Sequence, residues 1–144
     1  MQSPTITVQS IVKAPIEKVW ECWTKPEHIV RWAFASETWK APEAENDVRV
    51  GGRFKTVMAA KDGSAKFDFT GTYTAVKEQE LIEYDMDRAP SESVSRHVKV
   101  EFSETPEGVC VTETFDPESE NSEEMQRSGW QAILDNFMIY VEKN

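Results

Sequence analysis

The sequence predicts an α+β fold in which one antiparallel sheet, apolar on a single face, closes on a long C-terminal helix. Residues 130 to 141, WQAILDNFMIYV, place Trp130, Ile133, Leu134, Phe137, Met138 and Val141 at i, i+3, i+4, i+7, i+8 and i+11, the stripe of an amphipathic helix. The middle of the chain instead has a period of two. Phe54, Thr56 and Met58 alternate with Arg53, Lys55 and Val57; Phe67, Phe69, Gly71 and Tyr73 with Lys66, Asp68, Thr70 and Thr72; Val98, Val100 and Phe102 with His97, Lys99 and Glu101. Short Gly-, Asp- and Pro-containing turns separate these runs, and strands joined so closely can only be antiparallel neighbours. A sheet with one apolar face and a helix with one apolar stripe bury each other.

The elements follow in order. TITVQSIVK, residues 5 to 13, is β-branched and reads as a strand, with Ile6 and Val8 alternating and Ile11 joining them after a slip. Pro15 suits a first helical position, Glu17 favours the positive helix end, and Ile16, Val19, Trp20 and Trp23 make one apolar face. Thr24-Lys25-Pro26-Glu27 has the form of a capping box opening a second short helix over about residues 26 to 32, which Ala-Phe-Ala-Ser at 33 to 36 breaks. From Glu37 to Phe115 about six strands are expected, with turns at Val50-Gly51-Gly52, Lys61-Asp62-Gly63, Glu78-Gln79-Glu80 and Thr105-Pro106-Glu107-Gly108. The acidic link DPESENSEE, 116 to 124, leads into the last helix, where Asn121 is expected as N-cap and Glu124 as its capping-box partner. The order is β-α-α-β(about 6)-α in one domain, residues 1–144.

Composition narrows the function. The net charge of −10 and pI near 4.7 repel phosphate backbones, and no basic cluster offsets them, so neither nucleic acid nor an anionic membrane is an expected partner. The N-terminus lacks the basic start and apolar run of a signal peptide, and no segment approaches the ~20 apolar residues of a membrane span; a cytoplasmic protein is expected. Cys22 and Cys110 are far apart without a CxxC partner and are expected as free buried thiols. His28 and His97 have no His or Cys at metal spacing, so no metal and no cofactor is expected, and with no plausible local partners neither supports a catalytic triad or pair.

Four stretches, APIEKVWECWTKPEHIVRW, DVRVGGRF, FDFTGTY and VTETFDPESENSEEMQRSGWQAILDNF, together span nearly the whole chain. In order and spacing they resemble the helix-grip fold of the START-like (SRPBCC) superfamily, in its branch of AHSA1-like proteins related to the activator of the Hsp90 ATPase. The resemblance implies a curved antiparallel sheet wrapped around the C-terminal helix, with a cavity between them where superfamily members hold hydrophobic ligands. Members range from lipid carriers and hormone receptors to aromatase/cyclases and co-chaperones, so the fold does not choose among them.

Within such a cavity Glu113 is the most informative position. On VCVTETF it shares a face with Val109, Val111 and Phe115, so its carboxyl points inward, at a cost of several kcal/mol unless it is paired, hydrogen-bonded or protonated. It is the candidate acid or base, or a polar anchor; alternatively it pairs with Arg49 or Arg127, or lies near a wet strand end. Tyr73 and Tyr84 present hydroxyls to the same space, or pack as ordinary sheet residues. Trp32, Phe34 and Trp39 line the mouth or plug it. Phe54, Met58, Phe69 and Val111 from the sheet, with Trp130 and Leu134 from the last helix, complete the expected lining. His97 belongs to the wet face. The function expected is a module binding a small hydrophobic or aromatic ligand. The alternatives are a cyclase-, dehydratase- or hydrolase-like enzyme using the inward Glu113, and a co-chaperone-like domain with a protein partner.

Overall fold

The computed structural model describes residues 5–34, 36–87, 96–118 and 121–144. The chain runs β1 (Ile6–Val12), α1 (Ile16–Thr24), α2 (Pro26–Trp32), β2 (Trp39–Asn46), β3 (Arg53–Ala60), β4 (Lys66–Lys77), β5 (Leu81–Met86), β6 (His97–Thr105), β7 (Gly108–Phe115) and α3 (Glu123–Lys143). The strands form one antiparallel sheet in the order β1-β7-β6-β5-β4-β3-β2. Strands β2 to β7 lie beside their chain neighbours, as their short connections require. Because β1 pairs with β7, helices α1 and α2 carry the chain from one edge of the sheet to the other. The sheet curls into a half-barrel, with bulges between Lys40 and Glu43 and between Tyr73 and Ala75 adding local bends.

The one-sided patterning is seen strand by strand. Val98, Val100 and Phe102 are buried beside Ile82 and Tyr84, and β7 alternates strictly, with Val109, Val111, Glu113 and Phe115 turned inward. Helix α3 contributes Leu134, Phe137 and Val141, each with no exposed surface, a burial that stabilises by about 1.5 to 3 kcal/mol per side chain. The Phe137 ring meets Trp32 at 4.7 Å and Trp23 at 4.9 Å, both nearly edge-on. Trp32 is fixed by its indole N–H, which donates to the Cys22 carbonyl at 2.9 Å, and Asn136 of α3 donates to the Trp32 carbonyl at 2.9 Å. These bonds tie α1, α2 and α3 into one unit.

One close approach requires glycine. A Cβ on Gly71 would come within 2.7 Å of the Phe54 ring and 2.6 Å of the Asp85 carbonyl oxygen, so the missing side chain is what lets the Phe54 ring approach β4 this closely.

Several local expectations need correction. In β1 there is no slip: Ile6, Val8 and Val12 keep one period, and Ile11 is 42% exposed on the other face. Thr24 does not cap α2, because its hydroxyl donates back to the Trp20 carbonyl at 2.8 Å; Lys25 occupies the N-cap position with no side-chain hydrogen bond. The cap of α3 is Ser122, whose hydroxyl accepts from the Met125 amide at 3.1 Å, so Asn121 and Glu124 form no capping box. Ala35 in the breaking segment and Ser119 and Glu120 in the acidic link lie outside the described residues.

Candidate functional site

Helix α3 lies against β1 and α2 against β2, and between them the inner face of the sheet is left with a cavity of about 380 Å³. Its sheet wall is Phe54, Thr56 and Met58 of β3, Phe67, Phe69 and Tyr73 of β4, and Tyr84 of β5, the inward set that the period of two selects. Its helix wall is Trp23 of α1, Ile29 and Trp32 of α2, and Met125, Gly129, Trp130 and Ile133 of α3. The rings pack into one another: Phe54 meets Tyr84 at 4.8 Å and Tyr73 at 5.4 Å, Phe69 meets Trp130 at 6.4 Å, and Trp130 stacks on Phe115 at 3.8 Å.

Polar groups enter this apolar space at a few points. Glu113 is 5% exposed, its Cα paired with Val8 on one side and Val100 on the other, so apolar strands flank it. Burial alone pushes its carboxyl up to about 8, which leaves it protonated at neutral pH. Burial also pushes the Tyr84 hydroxyl well above its usual range, with Glu113 adding to the effect. Among the described residues neither Glu113 nor the Tyr84 hydroxyl has a hydrogen-bond partner. Tyr73 differs: its hydroxyl donates to Asn46 Oδ1, and Asn46 Nδ2 donates to the Thr24 carbonyl at 2.6 Å, so this chain from β4 through β2 to α1 is a fixed part of the wall. Gln126 is likewise committed. Its Nε2 donates to the carbonyls of Glu118 and Asn121, and its Oε1 accepts from the Glu118 amide at 2.8 Å, which fastens the acidic link to α3. Among the described residues, Arg96, Glu45, Glu118, Ala33 and Asn121 complete the wall.

Of the residues nominated from sequence, Trp32, Phe54, Met58, Phe69, Tyr73, Tyr84, Glu113 and Trp130 line this cavity. Phe34, Trp39, Val111 and Leu134 do not. Val111 and Leu134 are wholly buried in the core, where period and stripe point them correctly but other residues fill the space. Trp39 packs at 5.8 Å on the wall residue Phe67 without lining the cavity itself, and Phe34 borders a separate groove with Asp135 and Ile139. Neither proposed ion pair of Glu113 forms: Arg49 is exposed and bonds Asp47 at 2.8 Å, and Arg127 is exposed on α3. Trp23 and Ile133 sit on apolar helix faces that were legible and could have been nominated by the same rule. Asn46, Arg96 and Gln126 could not, since they come from strand ends and a helix start where no period operates.

The histidines do have partners. His97 Nδ1 lies 2.7 Å from Asp85 and Nε2 2.9 Å from Glu83, both on the adjacent β5, and His28 Nδ1 lies 2.6 Å from the Tyr140 hydroxyl. None of these partners is local in sequence: pairing of β5 with β6 brings His97 to residues 12 and 14 away, and packing of α2 on α3 brings His28 to Tyr140. Both pairs lie outside the cavity wall. Cys22 is buried as expected, whereas Cys110 is half-buried on the outward phase of β7.

The sequence matches the family described as activator of Hsp90 ATPase homolog 1-like protein over residues 13–142. It is similar to the AHSA1-like protein from Aeromonas hydrophila, whose solution NMR structure is 44% identical over 96% of this chain and 92% of that one, with a TM-score of 0.87. It is also similar to Chr148 from Cytophaga hutchinsonii, 48% identical over 97% and 93% of the two chains, with a TM-score of 0.79. CV1439 from Chromobacterium violaceum, at 23% identity over 97% and 98% with a TM-score of 0.84, shares the fold. Comparison with curated proteins gave no match.

Proposed function

This chain belongs to the activator of Hsp90 ATPase homolog 1-like family, and we propose that it is a binding module holding a small apolar or aromatic molecule between the sheet and α3. The observation that carries this reading is the buried Glu113 carboxyl, which faces an aromatic-lined cavity with no protein partner among the described residues. A carboxyl that opens on the cavity with no protein partner leaves its hydrogen-bonding capacity to whatever fills that space, the kind of placed polar group that orients a ligand in an apolar site. The family's description names a protein-directed role for its namesake; the cavity and its inward polar groups turn the reading for this chain toward a small molecule.

A second reading rests on the same carboxyl. A protonated Glu113 beside the Tyr84 hydroxyl has the form of a general acid, which would serve a cyclisation, dehydration or hydrolysis. Turnover abolished by Glu113→Gln with ligand affinity kept would support it. None of the described helices is long and apolar enough to cross a membrane.

The test is titration with N-phenylnaphthylamine, an uncharged dye that fluoresces in apolar surroundings. Saturable enhancement that Trp130→Ala weakens supports the binding module. Absence of enhancement at any dye concentration below its solubility limit removes it.

A further inference from the structure

Resting on the reading of the cavity as a ligand site, we propose that its ligand is a cationic aromatic amine, the ammonium group pairing with Glu113 and the ring system lying among the aromatic walls. Three features of the cavity lead there.

The first is redundancy. A neutral ligand could already find a hydroxyl at Tyr84, itself 7% exposed and without a hydrogen-bond partner among the described residues, and a second at the equally buried Thr56. What a carboxyl adds to two hydroxyls is the capacity to become a full counter-charge. The second is the sign of the wall. Among the described residues, Glu45, Glu113 and Glu118 line it against Arg96. Arg96 makes no ion pair with Glu113, and its charge acts on the Tyr84 hydroxyl. An anionic ligand would meet an excess of carboxyls; a cation would not. The third is the rings. The Phe69 ring lies 6.3 Å from Tyr84 and 6.4 Å from Trp130 around the same space, and an ammonium within about 6 Å of such faces is attracted by their quadrupoles. The net charge of −10 also raises the local concentration of cations at the mouth.

The proton balance is simple. Before binding, Glu113 carries its proton, since burial raises its titration to about 8. When the ammonium enters, the carboxyl gives that proton to solvent and the carboxylate pairs with the cation, so one proton leaves for each ligand bound at neutral pH. Among the described residues, the titratable groups facing this point are Tyr84 of β5, Tyr73 of β4, Arg96 ahead of β6, Glu45 of β2 and Glu118 after β7; the lining residues from the helices carry none.

The experiment compares three probes of one shape on the full chain by calorimetry: naphthylmethylamine, naphthylmethanol and naphthoate. The amine should bind at least about tenfold more tightly than the alcohol, with naphthoate weakest. Runs in phosphate and in Tris, whose protonation heats differ, should reveal release of close to one proton with the amine and none with the alcohol. Glu113→Gln should remove the amine's advantage over the alcohol and abolish the proton release; the proton release in the wild-type chain tests the same point without any variant. If the alcohol or naphthoate matches the amine, or the amine binds without proton release, the cationic ligand is wrong and the cavity reading stands. If none of the three binds, both fall.

Discussion

Phe115 and Trp130 stack face to face, with ring centroids 3.8 Å apart and planes within 13°, joining β7 to α3 at the edge of the cavity. Phe115 is wholly buried, while Trp130 is half-buried and shows its other side to the cavity. Trp130→Ala should therefore act twice, removing the stack and enlarging the cavity. Urea melts should show a loss of about 3 kcal/mol, and dye affinity should fall in the same variant. A loss below about 1 kcal/mol would mean that the stack does not hold α3 to the sheet.

Gly71→Ala should be destabilising although the change is one methyl group. The added carbon meets Phe54 and the Asp85 carbonyl, so the Phe54 ring must shift into the cavity or the β4–β5 pair must part. A cost of about 1 to 3 kcal/mol is expected, with reduced ligand capacity. Unchanged stability would show that the Phe54 ring does not approach β4 this closely.

Glu113 should give stability a specific pH dependence. Its carboxyl titrates near 4.5 in an unfolded chain and at about 8 in the folded one. The unfolded state thus binds fewer protons between these values, and stability must fall as pH rises across that window. The contribution is complete below 4.5 and gone above about 8. Urea unfolding at several pH values should show wild type losing on the order of a few kcal/mol more than Glu113→Gln across this range, with the variant as stable or more stable at neutral pH. Equal slopes for the two proteins would place the carboxyl in contact with water or a cation.

His97 should titrate above its ordinary value. Partial burial opposes the charge, and the hydrogen bonds that the ring donates to Asp85 and Glu83 outweigh that effect. Its contribution is present in full below about 6.5 and lost as pH rises through the raised folded value. NMR titration of the ring should give a midpoint above that of a free histidine, and Asp85→Asn should bring it down. A midpoint at or below the free value would mean that the two carboxylates do not hold the ring.

How much of this was legible follows from where periodicity operates. The stripe on α3 and the alternation of β3, β4, β6 and β7 identified the sheet's inner face, and Glu113 stood out because a carboxyl occupied an apolar phase. The same rule could not divide that face into packed core and open cavity. Val111 and Glu113 share a strand and a phase, yet Val111 is filled over and Glu113 borders free space, a distinction set by where α3 and α2 happen to lie. Partners across strands were invisible for a related reason: His97 meets Asp85 and Glu83 only once the β5–β6 register is fixed. The caps failed by one residue each: Thr24 turns its hydroxyl back to the Trp20 carbonyl, and between Asn121 and Ser122, equally good cap chemistry, backbone geometry alone chose.

The most direct measurement is an NMR titration of the full chain with N-phenylnaphthylamine, following side chains that line the cavity from opposite walls. The methyl groups of Met58 and Met125 and the indole N–H groups of Trp23 and Trp130 should shift together and saturate at one equivalent, while Thr112 and His97 on the outer face stay fixed. Shifts confined to the outer face, or no saturable shift at the cavity side chains, would contradict a ligand site between the sheet and α3.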